Sequence, residues 1–580
     1  MRNLLLTAAT LITLPAVAAL TPKSYPDYQV TSVSPNGKFA VSQFYGTLIV
    51  MNLETGEEKT WQGNEEGTVA YGVGNGNVVS NDGTVVGYID YSSGAVYYLE
   101  NNEWHQLSTI VEGTSNIANA ITPDGRIICG GNGLTSISTD DNPTPMSVPV
   151  LWIRGEDGNF GKPVELPYPT TDITGRVPQY VTAIALSDDG STVLGQVRDY
   201  SGRIHYPIVY TNNNGEWTYS LPAMSLVNPD NIELPQDPGE GPAAPKAEDF
   251  LSPEEKTAFE KALEEWENKN GGSSNPDFNS YPDVNDFLGE ESKARYDEAY
   301  DEYIKANAAW EEKAIAFYTA FDKLLISGLS FEFNIGSLSA DGKTAWQSAR
   351  KIIDTGNPEN QYKEAFAPAT IDLTTGEIFI RDFSQNASMT FVAEDGTIFA
   401  TKGDQLEGIV YSPDVNTILG IPFIEYVENI NPETAKWVNE NMRHDFVGTD
   451  PETFEPIDRK DVICSGFTIC SRDQSVLISR AINYWEDTPV IIYSYVLPGK
   501  IDNAGIALNP AEDMGVTISK DGVIRINGEV VSLTVSDING RVIYDGRPAS
   551  DTIETGIGNG AYIISAIGAD GSFRTAKVLL

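Results

Sequence analysis

The sequence predicts a mainly β protein: a β-propeller of about seven blades over residues 25–505, interrupted by an α-helical hairpin at 248–326, with a small β-sandwich at 510–580. Three observations predict it. A short turn phrase recurs along the chain, a strand–turn–strand segment follows most copies, and the rhythm changes abruptly at 228–326 and again near Asn509.

The phrase reads small–x–Asp/Asn–Gly and then alternating apolar residues. Its copies are Ser34-Pro35-Asn36-Gly37, Ser80-Asn81-Asp82-Gly83, Thr122-Pro123-Asp124-Gly125, Ser187-Asp188-Asp189-Gly190, Ser339-Ala340-Asp341-Gly342 and Ala393-Glu394-Asp395-Gly396. A last copy, Ser471-Arg472-Asp473-Gln474, lacks the glycine. Asp-Gly supplies the positive φ of a tight turn, and the alternating residues form the returning strand. A second hairpin follows, as in Thr47-Leu48-Ile49-Val50 or Pro207-Ile208-Val209-Tyr210. Two hairpins make a four-stranded sheet, and starts about 42 to 65 residues apart, where no insertion intervenes, suit a propeller blade. The likeness to WD-type repeats is one of pattern alone. Six or eight blades and two tandem sandwiches are the alternatives.

Two insertions break the rhythm. Residues 228–247 are Pro-rich and read as a linker. Ser252-Pro253-Glu254-Glu255 is a helix start, with Ser as N-cap, Pro at the first helical position and Glu three after the cap. A second, longer helix is expected from about Glu290 to Leu325, where Tyr296, Tyr300, Tyr303, Trp310, Ala314, Phe317, Phe321 and Leu324 step at helical spacing. That stripe is expected to pack the two helices on each other. Tyr296, Tyr300, Tyr303 and Trp310 are also the candidate partner surface. A short helix is expected after Asn431-Pro432.

The ends speak to compartment. Arg2, an apolar run over 4–17 and Ala16-Val17-Ala18 form a secretory signal peptide at 1–19. The run is shorter than the ~20 residues of a membrane span, and no later stretch is long and apolar enough to be one. At the other end lie Asp537-Ile538-Asn539-Gly540-Arg541-Val542, Gly560-Ala561-Tyr562-Ile563 and Lys577-Val578-Leu579-Leu580. In this order they resemble the C-terminal sorting domain of the type IX secretion system of the Bacteroidetes. Gly546-Arg547-Pro548 departs from the pattern without disturbing the landmarks. The resemblance implies a partner, the outer-membrane translocon, which would read Asp537, Asn539, Gly540, Arg541, Gly560, Tyr562 and Lys577. It implies a product that is secreted or held at the cell surface.

Composition excludes some partners. With 38 basic against 82 acidic side chains the net charge is -44, so phosphate backbones are repelled and nucleic acid is not expected to bind. Cys129, Cys464 and Cys470 make no disulfide framework. Buried free thiols are expected, with one bridge from Cys129 as the alternative. Their spacing and three histidines do not suit zinc. His105, His205 and His444 read as ordinary surface or loop residues. No nucleophile elbow, phosphate loop or HExxH occurs in usable context. The repeated Asp82, Asp124, Asp189, Asp341, Asp395 and Asp473 read as turn residues. Calcium at these turns stays open, although the full ligand spacing is missing; no cofactor is expected. The expected function is binding of a protein or glycan. The alternative is a polysaccharide hydrolase or lyase working with carboxylates in the propeller channel.

Overall fold

The computed structural model describes residues 20–26, 28–44, 46–64, 69–74, 76–89, 94–136, 146–270, 280–356, 362–403, 406–449, 456–483, 491–500, 516–518, 523–526, 530–537, 541–548, 552–554, 561–568 and 573–579. The proposed signal peptide lies outside them. The chain forms two compact units. One comprises Met1–Leu107, Ala118–Ile128 and Ala387–Leu580; the other Ser108–Ile117 and Cys129–Asn386.

In the first unit the first, second and sixth repeats are four-stranded antiparallel meanders. The first repeat runs Gln29–Val33, Phe39–Phe44, Thr47–Asn52 and Glu58–Trp61. The seventh supplies three strands, Phe467–Cys470, Val476–Asn483 and Ile491–Pro498. Its fourth strand is Lys23–Pro26 from the other end of the chain, antiparallel to Ile491–Pro498 with Lys23 opposite Val496. In the second unit, the fourth repeat (Tyr180–Leu186, Thr192–Arg198, His205–Asn213, Glu216–Ser220) shares a sheet with the third, and the fifth runs Ser330–Leu338, Thr344–Asp354, Tyr362–Asp372 and Ile378–Ile380. Such self-similar meanders are the propeller-type unit of construction.

Each phrase is the turn between the first two strands. In the fourth copy the Ser187 hydroxyl donates to Asp189 Oδ1 at 2.8 Å, and the same carboxylate accepts Ser191 N–H at 2.9 Å. The Ser191 N–H, then the Ser187 and Ser191 hydroxyls, hold the Asp189 carboxyl below its usual range. Bonds from Lys343 and Ser339 hold Asp341 down to about 2. The carboxylates are therefore engaged by their own turns.

Neighbouring turns are also tied. The second residue of one phrase donates its N–H to the second residue of the next: Asn81 to the Pro123 carbonyl, Asp188 to Ala340, Glu394 to Arg472 and Arg472 to Pro35, all at 2.9–3.1 Å. Pro35 has no N–H to give. There Asn36 substitutes, donating N–H to Asn81 Oδ1 at 2.9 Å and Nδ2–H to the Asn81 carbonyl at 3.0 Å.

In the last phrase Gln474 adopts φ 62° where the other copies place glycine. Its buried amide oxygen accepts the Tyr426 hydroxyl. Gln474→Gly relieves about 1 kcal/mol of left-handed strain. It also strands a buried hydroxyl at a cost of about 1–3 kcal/mol. The single variant should therefore lower the urea midpoint, and adding Tyr426→Phe should recover most of the loss.

The carboxyl end forms two small sheets, Val516–Ile518, Val523–Ile526 and Thr552–Glu554 in one, and Val542–Gly546, Val530–Asp537, Ala561–Gly568 and Phe573–Leu579 in the other. Ile524 and Ile526 of one sheet share a core with Leu533, Val535, Tyr562 and Ile564 of the other. The three cysteines are free and buried. No helix among the described residues is long and apolar enough to cross a membrane.

Candidate functional site

The structure departs most from its own repeat between the fourth and fifth repeats, where the long insertion enters. The helices there are α1 (Met224–Val227), α2 (Pro253–Asn270) and α3 (Glu290–Ser327). The capping box at α2 forms: Ser252 N–H donates to Glu255 Oε2 at 2.7 Å, and Glu255 N–H to Ser252 Oγ at 3.4 Å. The same carboxylate also accepts Gly289 N–H at 2.7 Å and the Ser292 hydroxyl at 2.6 Å. One glutamate thus caps both helices, and their N-termini meet.

That corrects the expected hairpin, in which the end of one helix would adjoin the start of the next. The expected packing of α2 on α3 through the aromatic stripe is corrected too. Phe259 and Trp266 of α2 rest edge-on against Phe287 and Tyr281 of the connecting segment. The α3 stripe is met by the Pro-rich segment folding back. Trp310 donates Nε1–H to the Gly239 carbonyl at 3.1 Å, and Tyr296 packs on Phe250, just after that segment. Asp237 of that segment pairs with Arg176 at 3.1 Å. Of the candidate partner residues, Tyr300 is exposed, while Tyr296, Tyr303 and Trp310 are half-buried. Exposed Ile304, Ile315 and Tyr318 extend the apolar surface of α3. Its lower end is buried at Phe317, Phe321, Leu324 and Leu325.

Directly after α3 comes the first strand of the fifth repeat, and it is irregular. The equivalent strands of the first, fourth and sixth repeats each carry a one-residue bulge, as at Ala183/Ala185. In the fifth, Phe331 pairs with Ala349 and the next pair is Gly336 with Gln347. Five steps on one strand face two on its partner, so three residues are extra. Wide irregularities of this kind re-aim side chains.

Phe333 sits in that bulge and faces a row of three side chains, one of them cationic. In the fourth repeat Tyr180 pairs with Arg198, and Arg198 with His205. Residues directly opposite share one face of a sheet. The Phe333 ring centroid lies 5.6 Å from that of Tyr180, 4.9 Å from that of His205 and 5.9 Å from the Arg198 guanidinium carbon. Gln196, on the same face, donates Nε2–H to the Glu332 carbonyl at 2.7 Å and holds the bulge in place. His205 N–H donates to Ser330 Oγ at 2.9 Å. Arg350, opposite Ser330, bonds the Arg203 carbonyl at 2.6 Å and pairs with Glu364 at 3.0 Å.

Burial, then the charges of Arg350 and Arg198, push the His205 imidazole down to about 4. The ring is neutral at neutral pH. Two polar atoms in the row, Arg198 Nε and His205 Nε2, are buried with no hydrogen-bond partner among the described residues. His205 is therefore not the surface or loop residue expected; it lies in a strand, roofed by Phe333. His444 also belongs to a strand, stacked on Tyr493 at 3.8 Å with Nε2 at 2.8 Å from Tyr495 Oη. His105 stacks on Tyr98 at 4.9 Å in the second repeat.

Sequence reasoning missed Tyr180, Arg198, Phe333 and Arg350. One signal was there: Arg198 and Arg350 fall at the same distance after Ser187 and Ser339, so adjacent repeats carry arginine at an equivalent place. Among the sorting landmarks, Asp537 pairs with Tyr562 and Ile563 with Lys577 in one ladder. Tyr562 is buried and Arg541 is exposed. Asn539, Gly540 and Gly560 lie outside the described residues. Among the described residues no group of three or more His, Cys, Asp and Glu is placed to hold a metal ion.

These sheets define a mainly β protein of propeller type. No family model matches the chain, and no curated protein does. Solved structures similar to it include one from a study of two prolyl endopeptidases, at 11% identity and TM-score 0.38, with 95% of this chain and 55% of that one covered. Another is an oligogalacturonate lyase in complex with manganese, at 9% identity and TM-score 0.38, covering 82% and 91%. A third is TolB from Acinetobacter baumannii, at 10% identity and TM-score 0.30, covering 69% and 63%. The chain spans less than two thirds of the prolyl endopeptidase and TolB chains.

Proposed function

We propose that this chain is a secreted or cell-surface protein whose repeats close into one seven-bladed propeller, exported by the type IX system and binding a protein or glycan partner. The Lys23–Pro26 strand that completes the last sheet supports closure of the ring, because it joins the two ends of the repeat array. The observation that carries the binding reading is the clustering of departures. The long insertion and the three-residue bulge both fall between the fourth and fifth repeats, beside Arg198 Nε and His205 Nε2.

Purified protein screened against bacterial and host glycans and envelope proteins, read for both capture and product release, tests this. Saturable capture without turnover is expected. Release of shortened saccharide would replace the reading with the carboxylate hydrolase or lyase.

A further inference from the structure

We propose that Arg198 and His205, roofed by Phe333 and flanked by Tyr180, form a subsite for an acidic sugar, holding its carboxylate and a neighbouring hydroxyl. The inference rests on the glycan branch of the binding reading. It starts from an anomaly of charge. Acidic side chains outnumber basic ones by more than two to one, yet Arg198 has no ion-pair partner among the described residues. Its neighbours Arg203 and Arg350 do pair, with Asp322 at 3.6 Å and Glu364 at 3.0 Å. A covered guanidinium N–H without an acceptor costs about 1–3 kcal/mol or more, and an oxygen acceptor on Nε would relieve that cost.

The neighbouring atom has the complementary polarity. The backbone of Phe331 and Gly202 acts to favour a proton on the His205 imidazole, while Nε2 has no partner among the described residues. In the neutral tautomer with the proton on Nδ1, Nε2 is an acceptor, and that is the form the subsite would use. Arg198 and His205 are directly opposed across two strands, which places their side chains about 5 Å apart at Cβ. A donor for carboxylate beside an acceptor for hydroxyl matches a uronic acid better than a bare anion. Tyr180 and Phe333 are half-buried and reach solvent. Their ring faces suit the C–H face of a sugar.

The chain has three histidines, so ring-labelled histidine gives a spectrum of three imidazoles. Titrating the full-length mature protein with galacturonate and glucuronate at pH 7 should move the His205 Nε2 resonance saturably. The His105 and His444 signals should stay in place, and galactose and glucose should move nothing. Arg198→Gln should weaken the response at least about tenfold, and Arg198→Lys, which keeps charge but lacks Nε–H, should fail similarly. Both variants are first checked for an unchanged melting temperature; if either unfolds, Tyr180→Ala is substituted, with a smaller but measurable loss expected. An unmoved His205 at about 50 mM uronate, far above any useful affinity, overturns the inference. So does an equal response to acetate, which would mark a simple anion site. If the glycan screen is positive while His205 stays still, only this inference falls. If the screen finds only proteins and uronate leaves His205 still, the glycan branch falls with it.

Discussion

A mature chain starting at Tyr28 should melt roughly 10 °C or more below one starting at Leu20, and should associate on heating. Residues 20–27 hold the strand Lys23–Pro26, whose ladder partners are Val496, Tyr495, Ser494 and Tyr493. Tyr25 is buried in a cluster with Val30, Ile49, Ile469, Ile478 and Val496, drawn from the first and seventh repeats. Truncating a large buried aromatic costs about 3–5 kcal/mol, and a domain of a few hundred residues loses about 2–4 °C per kcal/mol. Removing the strand also bares the Ile491–Pro498 edge, an open template for pairing with other chains. The Lys23–Glu58 pair at 2.7 Å is exposed and adds little. Tyr25→Ala should reproduce most of the loss of stability without the association. A truncated chain as stable as the longer one would show that this strand does not close the repeat array.

The same strand marks the limit of what the sequence could tell. Turn chemistry is local. Asp-Gly before an apolar alternation states its conformation within a few residues, and so does Ser252 with Glu255. Features set by distant partners left no such trace. Nothing near Lys23–Pro26 says that its ladder partner lies beyond residue 490. Nothing in the Pro-rich segment says that Gly239 will accept a bond from Trp310, about seventy residues on. The aromatic spacing of α3 correctly announced a helix with an inner face, yet a periodic stripe is silent about what covers it. Glu255 was readable as half of a capping box, but not as the cap of a second helix. The bulge around Phe333 is a property of register, visible only once Phe331 and Gly336 are paired with Ala349 and Gln347. The candidate site was therefore nearly illegible, apart from the matching arginines of adjacent repeats.

Removing residues 510–580 should strand the protein inside the cell envelope, with surface and secreted signal reduced to near background while the repeat domain stays folded. The two effects are separable because the tail has a core of its own. Ile524, Ile526, Leu533, Val535, Tyr562 and Ile564 pack with Val530, Ile543, Tyr544 and Ile553, all from the tail. The last strand of the seventh repeat ends at Pro498. A deletion begun at 510 thus cuts no described ladder, and the melting temperature of the repeats should shift by little more than an ordinary surface change, about 0.5 kcal/mol or less. Tyr562→Ala in the intact chain offers a milder form of the experiment. It should cost the tail about 3–5 kcal/mol, a large share of the roughly 3–10 kcal/mol a seventy-residue module has, and so should move export toward the deletion phenotype while leaving the repeats untouched. Arg541→Ala, on an exposed side chain, should leave the tail folded. A fall in export in that variant would point to recognition rather than stability. Surface delivery undiminished by the deletion would refute the sorting role and leave the tail as an ordinary β-sandwich domain.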